Sequence, residues 1–444
     1  MIRGKKVVKG SLLPSVLEDE GVETESEKLV GTGSRPSSRP RESSRSIVGD
    51  GLEVNQMTPQ CLSPGEEASD VDGGDTEEEE GDSKKGPDRG EAGGGASITA
   101  DEEYDTDLEL EDTRRPYDPT GQALYKEVCK QLKVTPVSHF LRNVQRSELS
   151  LEHRGLGPQG TKALTVPLVT NTSILKLNLR DNWMEALGGA AVAEMLKENC
   201  YITDIDLSEN RLGEQGVKAL CVMLLENTTL LSLCLSGNQL DDKVAPHLAQ
   251  ALAANQKLQK LDLSHNRIGD VAGEILGNAI AENTGMKSLN LAWNCIRGKG
   301  AIALVKGIAA NIFLQVMDLS YNGLGKEGAI ALGEALKENN TLEELNISNN
   351  RIPPEGAIHF AMGLRVNKTI RILKMCRNPM QFTGCYAVLK SIQGNPESAL
   401  EFLDFSDITV NQDFDDVYDI VKDMFPNLQV KHGGRIGRFH KPQS

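Results

Sequence analysis

Hydrophobic and polar residues alternate in short segments that recur along most of this 444-residue chain. Two examples are LQKLDLSHN (258–266) and LEELNISNN (342–350), in which Leu and Ile alternate with polar residues before a closing asparagine. Such alternation predicts a half-buried β-strand, with Leu261 and Leu263 facing the core. The closing asparagines are spaced 28 residues apart, at Asn182, Asn210, Asn238, Asn266, Asn294, Asn322, Asn350 and Asn378.

Each strand pattern is followed by a segment with a helical period. The segment 213–227 places Val217, Leu220, Met223 and Leu224 three or four residues apart, which predicts a short amphipathic helix. A second series of asparagines closes these helices, and we expect a left-handed backbone there, because Asn adopts it more readily than most residues. The series comprises Asn171, Asn199, Asn227, Asn255, Asn283, Asn311, Asn339, Asn367 and Asn395.

A strand and a helix in every 28-residue unit resemble a leucine-rich repeat solenoid. Neighbouring parallel strands lie about 4.8 Å apart, whereas packed helices need about 8 to 10 Å. This difference between the strand spacing and the helix spacing forces the array of repeats to curve. We therefore predict an α/β horseshoe with a concave parallel sheet of about ten strands and convex helices, preceded by a disordered acidic tail. We expect the strand asparagines to be structural, because their buried amides can satisfy backbone groups of the tight loops.

Composition changes sharply along the chain. Residues 1–120 hold 14 Lys and Arg against 30 Asp and Glu, whereas residues 121–444 hold 34 of each charge. Low hydrophobicity combined with high net charge predicts disorder. The predicted organisation is a disordered acidic tail (1–100), a linker with a helical N-terminal cap (101–145), the repeats (146–398), an atypical last repeat with a C-terminal cap (399–432) and a flexible C-terminus (433–444).

Both ends of the array depart from the repeat. The first unit has Arg154 where the strand asparagine is expected. The last strand pattern, LEFLDFSDITV (400–410), is displaced by two residues and has Ile408 at that position. Terminal units of a solenoid are expected to be atypical, since each covers a hydrophobic face that has no further neighbour.

No motif of a reaction or metal site is present: the sequence lacks GxSxG, HExxH, paired CxxC and GxxxxGK[ST]. One segment, GLGPQG (155–160), matches the dinucleotide pattern GxGxxG, but it recurs as GLGKEG (323–328). These glycines serve the strand-to-helix turn of the repeat, because no unit is long enough for a dinucleotide-binding crossover. We therefore expect no enzyme activity, no cofactor and no metal.

The sequence shows no membrane or secretion signal. The N-terminus lacks the apolar core of a signal peptide, and no stretch of 18 apolar residues occurs. Eight cysteines are scattered without metal-ligand pairs. We expect a monomer in the cytoplasm, with the nucleus left open, and no membrane contact.

Two columns of residues on the predicted sheet are candidates for partner binding. The strand-centre column contains Asp206, Asp262 and Asp318, although hydrogen bonding within the strand and loop explains these equally well. The column directly before each strand asparagine contains His265, Trp293 and Tyr321 in consecutive units. Large amphipathic aromatics beside carboxylates are typical of interface hot spots. The wall is mixed in charge, so we expect an unidentified protein partner and no nucleic acid.

The pattern LxxLxLxxN followed by GxxGAxxL resembles the ribonuclease-inhibitor-like class of leucine-rich repeats. YDTDLELEDTRRPYDPTG, HRGLGPQGTKAL and GLRVNKTIRIL lie in loops, caps and helices that the generic repeat does not dictate, and they resemble the leucine-rich-repeat-containing protein 74 group. That resemblance covers about residues 101–430. It implies a horseshoe and protein binding, and it brings no activity that can be assigned to a residue.

Two members of the wider class suggest alternative functions. Ribonuclease inhibitor meets basic enzymes with a strongly acidic, Trp-rich surface, whereas the array here is neutral. The activator of the Ran GTPase carries an acidic tail after its repeats, whereas the tail here precedes them. A Ran-type GTPase-activating function and a ribonuclease-inhibitor-like function stay as alternatives to an interaction scaffold.

Overall fold

The computed structural model describes Asp118 and residues 120–436, so the predicted acidic tail (1–100) lies outside the described residues. Within that part of the chain, eleven strands form one parallel sheet in sequence order. The strands are β1 (Glu148–Ser150), β2 (Lys176–Asn178), β3 (Asp204–Asp206), β4 (Ser232–Cys234), β5 (Lys260–Asp262), β6 (Ser288–Asn290), β7 (Val316–Asp318), β8 (Glu344–Asn346), β9 (Ile372–Lys374), β10 (Phe402–Phe405) and β11 (Gln429–His432).

Helices alternate with these strands from β1 onward. The helices are α1 (Gln122–Gln131), α2 (Ser138–Asn143), α3 (Gly157–Leu168), α4 (Glu185–Glu198), α5 (Gly213–Glu226), α6 (Ala245–Ala254), α7 (Asp270–Glu282), α8 (Gly298–Ala310), α9 (Gly325–Glu338), α10 (Pro354–Leu364), α11 (Gln381–Gln393) and α12 (Gln412–Met424), with a short 3-10 helix at Asp242–Val244 before α6. The predicted fold class, a leucine-rich repeat solenoid of strand and helix units, is confirmed.

The register of the sheet follows the 28-residue period. Lys260 of β5, for example, pairs with Ser288 of β6. At the last repeat the offset changes, because Phe402 pairs with Ile372, as the two-residue displacement of that segment predicts. Leu261 and Leu263 are buried against the helices, in the same core cluster as the inner face of each helix.

Two short helices cover the first repeat. The rings of Tyr125 on α1 and Phe140 on α2 meet edge to face, with centroids 4.6 Å apart. The Tyr125 hydroxyl accepts a hydrogen bond of 3.1 Å from the Val137 N–H. Burial raises the pKa of Tyr125 to about 12. Both rings are almost fully buried, so these helices close the N-terminal end of the core.

The strand asparagines form a ladder beneath the loops that follow the strands. The Asn210 amide donates to the carbonyls of Leu179, Leu207 and Ser208 at 2.9 to 3.0 Å. Its side-chain oxygen accepts from the Asn182 N–H of the preceding unit at 2.8 Å. All eight of these side chains are buried. They therefore satisfy backbone groups that would otherwise be buried without partners.

The helix-closing asparagines form a second ladder, and the prediction of a left-handed backbone there is wrong. Asn339, for example, has φ −77° and ψ 124°, and none of the nine has a positive φ. The Asn339 amide donates to the carbonyls of Ile308 and Asn311 at 3.0 Å. Its oxygen accepts from the N–H groups of Thr341 and Leu342. Asn is therefore required at these positions for its side-chain hydrogen bonds, which form with the backbone in an extended conformation.

Left-handed backbone occurs instead at the residue directly before each strand asparagine. All eight residues of this column have φ between 48° and 68°, at Asp181, Glu209, Gly237, His265, Trp293, Tyr321, Asn349 and Arg377. The chain turns sharply there, as it leaves the strand. The turn fixes the direction in which the side chains of the seven non-glycine residues leave the sheet edge.

Candidate binding surface

Three aromatic residues form a row at the C-terminal edge of the sheet. His265, Trp293 and Tyr321 each lie three residues beyond the ends of β5, β6 and β7. Their N–H groups donate to the carbonyls of the next unit at 2.9 to 3.0 Å. Each ring therefore starts from a backbone position that the ladder of the sheet holds. We call these three residues the aromatic row.

The rings of the aromatic row are stacked on one another. The centroids of His265 and Trp293 lie 5.4 Å apart with 15° between the ring planes. Those of Trp293 and Tyr321 lie 3.8 Å apart with 10° between the planes. Trp293 is 48% exposed, His265 is exposed and Tyr321 is half-buried. The aromatic row thus faces solvent and does not belong to the core.

The left-handed backbone makes this an unusual place for large side chains. The values of φ are 54° at His265, 54° at Trp293 and 55° at Tyr321. Asn and Gly adopt this conformation more readily than bulky residues, which lose on the order of 1 kcal/mol. Stacking contributes about 0.5 to 1.5 kcal/mol for each ring pair and offsets that loss. The rings are therefore ordered before any partner arrives.

An arginine two units further along fixes one end of the aromatic row. The Arg377 guanidinium donates to the Tyr321 hydroxyl at 2.7 Å and to the Asp407 carboxylate at 2.9 Å. These contacts raise the pKa of Arg377, the hydrogen bond with Asp407 most of all. The sequence could not reveal this bond, because it joins residues 56 positions apart across the intervening Asn349.

A pocket of about 310 Å³ opens beside the aromatic row, lined by Trp293, Tyr321, Cys295, Arg297 and Arg351, among others. Arg297 approaches Asp270 at 3.9 Å. Among the described residues no ion-pair partner is found for Arg351. The pocket therefore combines aromatic surface with positive charge, and carboxylates form strong hydrogen bonds with such guanidinium groups.

The three candidate aspartates take part in hydrogen bonds of the fold. The Asp206 carboxylate accepts from both the N–H and the hydroxyl of Ser208. Asp262 and Asp318 accept in the same way from the N–H of the residue two positions on, and each also accepts from an asparagine of the next strand at 2.8 Å. All three are half-buried. Their positions are thus explained by the strand and loop, whether or not a partner contacts them.

A second tryptophan, which is not among the candidates predicted from the sequence, lies at the same sheet edge. Trp183, which follows Asn182 directly, is 55% exposed. Its indole N–H donates to Asp181 at 3.1 Å, and the Arg211 guanidinium carbon lies 4.8 Å from the ring centroid. Because Trp183 directly follows a strand asparagine, its place at this sheet edge could have been predicted from the sequence. It lies several repeats away from the aromatic row and stacks on no ring of it.

Among residues 120–436, no group of His, Cys, Asp and Glu is arranged to hold a metal ion. In that range no helix combines the length and the apolar character that crossing a bilayer requires.

Comparisons with known proteins agree with the repeat architecture. A family model described as Leucine Rich repeat matches seven segments, residues 170–193, 198–221, 226–243, 254–276, 282–305, 310–333 and 338–361. Human (Homo sapiens) leucine-rich repeat-containing protein 74B is 54% identical over 50 residues, which are 11% of this chain and 13% of that protein. The mouse (Mus musculus) protein of the same name is 46% identical over 67 residues, 15% of this chain and 17% of that protein.

These matches therefore span less than a fifth of either curated relative. Among solved structures, an internalin from Listeria monocytogenes has a TM-score of 0.38 and 15% identity, covering 72% of this chain and 93% of that chain.

Proposed function

This chain is a leucine-rich repeat protein similar to the leucine-rich repeat-containing protein 74 group, and from that premise we propose a non-enzymatic scaffold that docks a protein partner. The partner lies on the concave side of the sheet and contacts the aromatic row. No residue is assigned a catalytic role.

The observation that carries this proposal is the stack of three solvent-facing rings in consecutive units. The other five units serve as internal controls, because the same backbone position holds Asp181, Glu209, Gly237, Asn349 and Arg377. The fold therefore does not require a ring there. Bulky side chains in a left-handed conformation support a functional interpretation, since strained residues concentrate at binding sites.

The physics of docking favours such a surface. A partner that covers Trp293 removes apolar area from water, and rigid aromatics lose little side-chain entropy on binding. The stacking and the bond from Arg377 to Tyr321 have already fixed the ring positions. The neighbouring pocket with Arg297 and Arg351 gives the partner a place for a carboxylate.

The test compares the wild type with the double variant Trp293→Ala, Tyr321→Ala. Affinity capture with the full chain identifies a partner, and calorimetry with the purified partner then measures the dissociation constant. We expect the double variant to lose about 2 to 4 kcal/mol of binding free energy. Its melting temperature should change little, because Trp293 packs on the surface.

Trp183→Ala provides the matched control, since Trp183 is equally exposed at the same sheet edge. It should bind the partner with wild-type affinity. The proposal fails if the double variant retains full affinity, or if Trp183→Ala weakens binding by the same amount.

A further inference from the structure

The outer face of α10 carries exposed apolar side chains at two positions where most other repeat helices carry polar or small residues. Twelve residues after the strand asparagine, α4 and α9 carry Glu194 and Glu334, whereas α10 carries Met362, which is 50% exposed. Four residues further on, Val366 is 53% exposed. Most other units have glutamate or alanine at that second position, namely Glu198, Glu226, Ala254, Glu282, Ala310 and Glu338. Because these helices form with glutamate there, the fold does not require apolar side chains at either position.

These exposed side chains border a groove between α10 and α11. The groove encloses about 570 Å³ and is lined by Ile358, Ala361, Met362, Tyr386 and Ala387, among others. This volume lies within the range of pockets that hold ligands or side chains of a partner. Its floor is aliphatic and aromatic, while the sheet with the aromatic row lies on the opposite side of the core. The groove is thus a surface separate from the proposed docking site.

The charges at the rim of the groove have one sign. Arg365 and Lys390 line it, and no carboxylate does. Over the described part of the chain, neither of the two has an ion-pair partner. Basic residues near a helix C-terminus also interact favourably with the helix dipole. That effect accounts for their position on the helices, but it gives no reason for the exposed apolar floor between them.

We propose that this groove binds a short acidic amphipathic segment of a partner protein. Aliphatic side chains of the segment enter the cavity beside Met362 and Tyr386, and carboxylates of the segment face Arg365 and Lys390. An amphipathic segment laid into an apolar groove between helices is a recurring mode of peptide recognition. The charge complementarity orients the segment, because its acidic residues must lie toward the C-terminal ends of α10 and α11.

The experiment is a selection of random displayed peptides on the full-length chain, with Met362→Glu as the counter-selection target. We expect the enriched peptides to combine carboxylates with aliphatic residues at helical spacing. In fluorescence anisotropy, a synthetic copy of an enriched peptide should bind Met362→Glu at least about tenfold more weakly. The double variant Arg365→Glu, Lys390→Glu should show a similar loss and should bind a copy whose acids are replaced by lysine.

Val222→Glu is the matched control, because Val222 occupies the same helical position on α5 and is 40% exposed. It should bind the peptide within about twofold of the wild type. Met362→Glu should melt at the wild-type temperature, since Glu334 occupies the equivalent place in α9. Enrichment of basic or uncharged peptides, or equal binding by Met362→Glu, would overturn the proposal.

The same variants and the selected peptide also distinguish two other possible occupants of the groove. Light scattering that shows a dimer for the wild type and a monomer for Met362→Glu would make the groove a contact between copies of this chain. A synthetic peptide of residues 101–118 that displaces the selected peptide would assign the groove to the chain's own preceding segment. Either result would contradict a partner protein as the occupant.

Discussion

Single asparagine side chains connect neighbouring repeats at two places in each unit. Asn339 shows how much one residue does: its amide and its oxygen together make four hydrogen bonds with backbone groups. Asn340, the next residue, is exposed. The two therefore form a natural pair in which the same side chain is structural at one position and dispensable at the next.

We predict that Asn339→Ala lowers the free energy of unfolding by about 2 to 4 kcal/mol, because it leaves buried backbone groups without partners. Asn340→Ala should change it by less than about 0.5 kcal/mol. Urea denaturation followed by circular dichroism measures both. Equal effects of the two substitutions would contradict the structural role of the second ladder.

The reactivity of each cysteine depends on its own burial. Burial raises the pKa of Cys221 and of Cys385 to about 12, so both stay protonated well above neutral pH and react slowly. Cys295 is exposed. At pH 8 we expect a thiol reagent to modify Cys295 in the native protein and to reach Cys221 and Cys385 only after unfolding. Mass spectrometry of the labelled peptides would show the order, and early labelling of Cys221 would contradict it.

The motif alone predicted the burial of the strand asparagines, but it did not predict the backbone at the helix ends. The recurring Asn predicts a left-handed conformation there, whereas Asn339 is extended and bonds across repeats. Backbone preference and side-chain bonding favour the same residue type, so composition could not separate them. The left-handed positions carry residues as different as Asp181 and Trp293. Because no residue type recurs there, the sequence does not indicate the left-handed backbone.

Helix packing depends on glycine where two neighbouring helices approach most closely. A Cβ at Gly307 on α8 would overlap the carbonyl oxygen of Gly277 on α7, and a Cβ at Gly277 would lie 2.5 Å from the Ala303 oxygen. Gly160 on α3 differs, because its nearest neighbour would be Leu156 at 3.4 Å. Replacing glycine by alanine should therefore have opposite effects on stability at Gly307 and at Gly160.

We predict that Gly307→Ala destabilises the protein by about 1 to 3 kcal/mol, because the backbones of α7 and α8 must separate. Gly160→Ala should be neutral or stabilising by up to about 1 kcal/mol, since alanine favours the helix. The melting temperatures of both variants test this prediction. A loss of stability in Gly160→Ala as large as in Gly307→Ala would contradict the close helix contact.

The positions of the strands and helices follow from the 28-residue period, and the buried faces of α5 and β5 were predicted correctly. The contacts that shape the aromatic row and the groove on α10 do not follow from that period. The Arg377 bond to Tyr321 and the groove beside Met362 depend on how side chains from separate units meet. A repeat pattern describes one unit at a time, so it gives no information on such contacts. The binding roles of the aromatic row stay a prediction.

The stability of the whole array depends on its ends, because each repeat contacts only its neighbours. At the N-terminal end, α1 and α2 bury Tyr125 and Phe140 over the first unit. Loss of this cover exposes one face of the first repeat, whereas the central repeats keep both neighbours. Unfolding should therefore begin at that end.

We predict that Phe140→Ala costs about 3 to 5 kcal/mol locally and increases amide hydrogen exchange in β1 and β2 well before β7 and β8. Leu124→Ala, on the exposed side of α1, is the control and should leave the exchange pattern unchanged. Hydrogen exchange with mass spectrometry resolves the strands. A uniform increase across all repeats would show that the array unfolds as one unit and that this prediction is wrong.

Two asparagine ladders with a common 28-residue step also limit how this chain can change in length during evolution. Inserting or deleting one residue within a unit shifts one ladder relative to the other and breaks bonds at both ends of a strand. Duplicating or removing an entire unit preserves every bond. Among the described strands, the offset changes only beyond Asn378, where the strand ladder has ended and Phe402 pairs with Ile372 on one side and Gln429 on the other. Natural length variants should therefore differ by whole multiples of the unit.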